Sequence, residues 1–306
     1  MTCLTARDFT EVFGVPMNSL CSEIIETKNF RYRNVLGRER DSVILDVLNT
    51  PPSNLCAVGQ QRRDEWENGW RENLNAFAVS HKYEDLIPGY YRRGIQIMRF
   101  RGDYIKPESP HFETSFLAVL LAYLGSAYLT DDVYEFGCGP AHNLVKLARL
   151  FPEKRYCGLD WSSSSQQIIS QISFPNIVGA NFDMFQPDNS FKIVNNGTVF
   201  TIGAMEQLGT QFEPFLNYVL SQPIGCCVHI EPVYELYQKD VLFDELARRY
   251  SDARGYLKGY LPRLQQLELE GIITIEKIQK HIGGSYQDSW TSIIWKKKQE
   301  SKTCLK

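Results

Sequence analysis

No Cys-x-x-Cys pair, no apolar run approaching the ~18 residues of a membrane span and no surplus of charge appear in this sequence. Each absence removes a class of protein. The eight cysteines (Cys3, Cys21, Cys56, Cys138, Cys157, Cys226, Cys227 and Cys304) fall partly inside apolar, strand-like runs, where cysteine acts as a small hydrophobe. That usage points to a reducing, cytoplasmic setting. Lys and Arg total 33 against 36 Asp and Glu, which leaves no electrostatic footprint for a polyanion, so nucleic acid is not the expected partner. The short basic clusters, Arg31 to Arg40, Arg92 with Arg93 and Lys296 to Lys298, read as solvated faces. Near the N-terminus, Arg7, Asp8 and Glu11 stand where a secretory signal needs an unbroken apolar run. A soluble protein with no membrane partner is expected. Internal repeats and low-complexity tracts are also missing.

At 306 residues the chain exceeds the ~100–200 of one ordinary domain, which predicts an α/β domain carrying a smaller addition. From about Pro110 strands and helices alternate, as a parallel sheet requires. Strands are expected at Val133 to Phe136, Arg155 to Asp160, Asn176 to Ala180, Gly197 to Gly203 and Gly225 to Ile230. Helices are expected over Phe112 to Leu129, Asn143 to Leu150, Ser163 to Ser173 and Phe212 to Ser221, then one long stretch over Lys239 to Leu269 that Pro262 kinks or breaks. Two β-branched and aromatic runs, Ile272 to Ile278 and Ser289 to Trp295, read as a closing antiparallel hairpin. Residues 1–110 differ in texture and read as a mostly helical cap. It either closes over a substrate or makes a homodimer. Within it, Arg101 to Pro107 reads as turn-like.

The densest signal is Asp132-Val133-Tyr134-Glu135-Phe136-Gly137-Cys138-Gly139-Pro140-Ala141-His142, followed by a strand ending at Asp160. Two glycines let backbone approach a ligand, the following helix aims free N–H groups at it, and an acid at the next strand end suits a ribose diol. In a dinucleotide fold the third glycine packs helix on strand. Here that position is His142, which disfavours a nicotinamide oxidoreductase.

Glu135 two residues before Gly137, together with five α/β strands and a terminal hairpin, resembles the class I S-adenosylmethionine-dependent methyltransferases. The resemblance implies a Rossmann-like sheet of seven strands over residues 111–306. It also implies S-adenosyl-L-methionine as cofactor and S-adenosyl-L-homocysteine as product. By that resemblance Glu135 lies near the methionine end and Gly137, Cys138 and Gly139 line the cofactor. Asp160 holds the ribose with Trp161 beside it, Asp183 and Met184 meet the adenine, and Gly203, Ala204 and Tyr104 complete the cofactor set.

Methyl transfer to a hydroxyl benefits from a base. His229 and Glu231 alternate onto one side of the fifth strand at its ligand-binding end, which makes His229 the expected base and Glu231 its orienting partner. The competing reading is a His bonded within the fold and a Glu capping a loop. Glu206 is a further catalytic candidate and His142 a weaker one. His111, Glu206 and Glu231 lack metal-ligand spacing, so no metal is expected. Tyr90, Tyr91, Tyr104 and Phe112 form either a lid and substrate wall or core. Segments from Pro88-Gly89-Tyr90-Tyr91 to His229-Ile230-Glu231-Pro232 are similar to sugar O-methyltransferases, which implies a hydroxyl-bearing small molecule as acceptor. N-methylation of an amino acid or peptide, and a non-catalytic binding protein of the same fold, are the alternatives.

Overall fold

The computed structural model describes residues 1–50 and 56–298; Cys304 and the end of the expected 111–306 domain lie outside them. The N-terminal third forms helices α1 (Ala6–Phe13), α2 (Ser19–Thr27), α3 (Gly37–Asn49) and α4 (Arg63–Ser80), with short strands β1 (Thr2–Cys3), β2 (Arg31–Asn34), β3 (Met98–Phe100) and β4 (Asp103–Pro107). Thr5 and Asp8 close a capping box on α1, and Gly14 ends that helix at φ 69°. Arg101 and Gly102 turn the chain at φ 51° and 81°, so β3 folds back on β4. Asp103–Pro107, expected as turn-like, is therefore a strand.

The rest of the chain builds α5 (Phe112–Ala127), β5 (Asp132–Phe136), α6 (His142–Leu150), β6 (Arg155–Asp160), α7 (Ser163–Gln171), β7 (Ile177–Asn181) and β8 (Gly197–Ile202). It continues with α8 (Glu213–Ser221), β9 (Ile224–Glu231), α9 (Leu242–Arg254), α10 (Tyr260–Leu269), β10 (Ile273–Lys280), β11 (Ile282–Gly283) and β12 (Thr291–Lys297). The seven-stranded sheet runs β10-β12-β9-β8-β5-β6-β7. β5 to β9 pair in parallel, while β12 lies antiparallel to both β9 and β10, the expected hairpin. A smaller sheet, β1-β2-β4-β3-β11, takes its last strand from the C-terminal hairpin and so joins segments on either side of residue 110.

The expected long helix over Lys239 to Leu269 is two helices. Gly255 and Gly259, at φ 65° and 89°, separate them, and Pro262 sits in the first turn of α10. Proline is tolerated there because a first-turn N–H has no intrahelical partner, so the glycines make the break.

Strand alternation sends side chains to two cores. On β9, Val228 and Ile230 join α5 and α6 on one face, while Cys227 meets α8 and α10 on the other. Leu120, Leu121 and Leu124 of α5 and Phe136, Phe200 and Trp295 of the strands have no exposed surface. Burying one such side chain contributes ~1.5–3 kcal/mol, which fixes the sheet beneath its loops.

Candidate functional site

Strand order reverses between β5 and β8, and open α/β sheets bind ligands beside such a switch, at the carboxyl ends of the strands. A cleft of about 980 Å³, open space at its mouth included, lies there. Its floor is the loop after β5. Gly137, Gly139 and Ala141 all take positive φ, at 68°, 51° and 59°. A Cβ on Gly137 would stand 2.5 Å from Ala204 Cβ, and one on Gly139 would stand 2.9 Å from Trp70 Cζ2. Both glycines are therefore required for close approach. Ala141 in the left-handed region carries ~1–2 kcal/mol of strain that a glycine would not.

Of the residues expected at the cofactor, Gly137, Cys138, Gly139, Asp160, Trp161, Asp183, Met184, Gly203 and Ala204 all line this cleft. Asp160 is 4% exposed. Its Oδ2 accepts from Gly139 N at 2.8 Å and its Oδ1 from Ser162 N at 2.9 Å. Burial pushes its pKa up to about 6. Asp183 Oδ1 accepts from Phe185 N at 2.9 Å, and the other oxygen pairs with the Arg63 guanidinium. Glu135 is buried behind the wall. Its Oε1 accepts from Asn143 Nδ2 at 2.8 Å, its Oε2 has no partner, and burial raises its pKa to about 8.

Tyr104 is not in the cleft. It sits in β4 with no exposed surface, its ring 5.0 Å from that of Phe243 and its hydroxyl donating to the Ser285 carbonyl at 3.0 Å. The β3–β4 turn that sequence could not resolve into strands decides this placement. Phe112 is also core, whereas Tyr90 and Tyr91 line the cleft.

His229 and Glu231 occupy the positions of the competing reading. His229 is 1% exposed and bonded at both ring nitrogens, Nδ1 with Thr201 Oγ1 at 3.0 Å and Nε2 with Tyr260 Oη at 2.9 Å. Burial lowers its pKa to about 3, so the ring is neutral. The alternation that pairs it with Glu231 also points it at α10 rather than at the cleft. Glu231 accepts from Ala204 N and Met205 N through Oε1 at 3.0 and 3.1 Å, and from Glu206 N through Oε2 at 3.1 Å. It caps the short helical turn Met205–Leu208 after β8.

Glu206 stands between the lining residues Ala204 and Gln207, with Oε1 accepting from Gln207 Nε2 at 2.9 Å. Burial, and then the neighbouring charge of Glu231, raise its pKa to about 8. His142 does reach the cleft. It is 7% exposed, its Nε2 has no partner, and burial depresses its pKa to about 2. Among the described residues no group of three or more His, Cys, Asp or Glu is placed to hold a metal ion. None of the described helices is long and apolar enough to cross a membrane.

Sequence reasoning missed the opposite wall. Arg63, Trp66 and Trp70 of α4 line the cleft, and their spacing of three and four residues puts them on one helix face. That spacing is readable in Arg63 to Trp70, but nothing in the sequence says which sheet edge the helix covers. Glu113 and Trp290 do not line the cleft, but they back one of its residues. Trp290 Nε1 donates to Glu113 Oε1 at 2.9 Å, and the Trp290 ring stacks 5.9 Å from that of Tyr91.

No family model matches the chain, and no curated protein matches it. Solved structures resemble it at low identity. The N-methyltransferase NodS from Bradyrhizobium japonicum, in complex with S-adenosylhomocysteine, is 12% identical over 74% of this chain and 100% of that one, at TM-score 0.48. Human N-acetylserotonin methyltransferase with S-adenosylmethionine is 11% identical over 86% and 68%, at 0.44. LepI with S-adenosylmethionine is 13% identical over 62% and 53%, at 0.42, so the chain spans about half of LepI's length. The strand order itself, five parallel strands continued by a reversed strand inserted beside an outer one, gives this chain the fold of the class I S-adenosylmethionine-dependent methyltransferases.

Proposed function

We propose that the protein is an S-adenosylmethionine-dependent methyltransferase acting on a hydroxyl of a small molecule. The observation that carries this reading is the pair of buried carboxyls flanking the glycine loop: Glu135, with one unpartnered oxygen, and Asp160. Each Asp160 oxygen accepts one backbone N–H and keeps a lone pair, so together they suit a vicinal diol. The free Glu135 oxygen, behind the lining residue Asn143 that bonds its other oxygen, is the acceptor we assign to an ammonium. A ligand carrying an amino acid at one end and a ribose at the other satisfies both, and a nicotinamide dinucleotide offers no ammonium.

When bound, S-adenosylmethionine supplies a methyl group on a sulfonium. Methylation of a hydroxyl by that group would release the hydroxyl's proton. The chain's work is then to align the acceptor, exclude water and take that proton. With His229 turned into the core, Glu206 is the carboxyl we assign to the proton. Tyr90 and Tyr91, their rings 4.5 Å apart, supply an aromatic wall for the acceptor, and Trp290, held by Glu113, packs against Tyr91 from the core side. The near balance of charge supports a small-molecule acceptor over nucleic acid, and the free cysteines support a cytoplasmic setting.

Equilibrium binding tests the carrying observation. Glu135→Gln weakens S-adenosylhomocysteine about tenfold but leaves 5′-methylthioadenosine, which lacks the amino acid, unchanged. Equal losses for both ligands, or none for either, would remove the role given to Glu135.

A further inference from the structure

α4 is fastened across the cleft at one turn. Glu67 Oε2 accepts from Ser162 Oγ at 2.6 Å, and Oε1 accepts from Ser163 Oγ at 3.0 Å and Ser164 Oγ at 2.6 Å. These serines lie immediately after Asp160 and open α7, so the helix is tied to the end of the strand that carries the ribose candidate. On either side of this anchor, the same helix turns three large side chains to the cleft. The Trp66 and Trp70 rings stack at 5.5 Å and 26°, and Trp70 closes over Gly139. Arg63 lies 4.9 Å from the Trp161 ring centroid and pairs with Asp183. Two donors in this wall are buried without partners, Arg63 Nε and Trp66 Nε1. Leaving a buried donor unmatched costs ~1–3 kcal/mol, so both call for an acceptor that a ligand brings.

We infer that α4 is the outer wall of the adenosyl site, with Arg63 and Trp66 donating to the adenosyl half of the cofactor and Trp70 covering the glycine loop. This rests on the methyltransferase reading. An adenosyl group is rich in ring-nitrogen and ribose-oxygen acceptors and has a flat apolar face, which matches two free N–H donors set among three indoles. The glycine-loop motif does not include these residues. They come from the N-terminal region, which thereby completes the cofactor site instead of serving only the acceptor.

The test uses the full chain, calorimetry and intrinsic fluorescence. Three of the five tryptophans, Trp66, Trp70 and Trp161, line the cleft, so S-adenosylhomocysteine changes the emission of the wild type. Trp66→Phe keeps an aromatic ring and removes the donor; it weakens S-adenosylhomocysteine at least threefold, and Arg63→Ala weakens it at least tenfold. Because the contacts are to the adenosyl half, each factor is the same for 5′-methylthioadenosine. Thermal unfolding confirms that the variants fold. If both variants bind within twofold of wild type while Asp160→Ala loses binding, the wall is refuted and the cofactor reading stands. If the wild type binds neither ligand, both fail together.

Discussion

His229 shows how a single residue can satisfy a sequence pattern and still face away from the cleft. Strand alternation correctly placed it beside Glu231, but a strand has two faces and the sequence does not label them. The face that takes His229 also holds Tyr260 and Trp295. His229→Ala leaves Thr201 and Tyr260 hydroxyls buried without their partner, a loss of ~2–4 kcal/mol in chemical denaturation. S-adenosylhomocysteine affinity, read by titration of the folded variant, stays within twofold of wild type.

Glu206 differs, because the proton role proposed for it ties its titration to activity. Burial and the charge of Glu231 raise its pKa to about 8, so the carboxylate form increases as pH passes upward through that value. Methyl transfer at saturating cofactor therefore rises across about pH 7 to 9, and Glu206→Gln removes this limb of the kcat profile. A profile flat in the wild type over that range would exclude Glu206 as the proton acceptor. The cleft positions of Gly137, Gly139, Asp160 and Asp183 were legible because backbone geometry and strand ends constrain them. The pairing of Glu113 with Trp290 was not, since 177 positions separate two residues that only the tertiary fold brings into hydrogen-bond contact.

At the scale of elements, the alternating strands and helices from Phe112 onward followed their hydrophobic periods, and the boundaries moved by only a few residues. The small sheet escaped because its strands are two to five residues long, too short for any alternation to register. The element that matters most for the site is α4, and its anchor is testable. Burial by itself would raise the Glu67 pKa, but hydrogen bonds from Ser162, Ser164 and Ser163 hold it below the ordinary value. A carboxyl lowered by folding stabilises the folded state above its unfolded pKa, and that contribution is lost as pH falls through the lowered value. Glu67→Gln thus costs ~1–2 kcal/mol at pH 7 by denaturant titration, and the difference from wild type shrinks below about pH 4. A difference unchanged between pH 7 and pH 3 would mean the anchor does not depend on the Glu67 charge.

Across the whole molecule, a seven-stranded sheet supplies the floor of one cleft and the N-terminal region supplies its opposite wall. The expectation of a mostly helical cap came from texture alone. Which residues it lends to the site depended on packing that no local pattern encodes. The central claim is that this cleft recognises an adenosyl amino acid through the ends of β5 and β6. Calorimetric titration of the wild type and Asp160→Ala with S-adenosylhomocysteine, alongside NAD, tests it most directly. The account predicts binding of S-adenosylhomocysteine by the wild type, a loss of at least tenfold in Asp160→Ala, and no heat with NAD; absence of S-adenosylhomocysteine binding, or tighter binding of NAD, would contradict it.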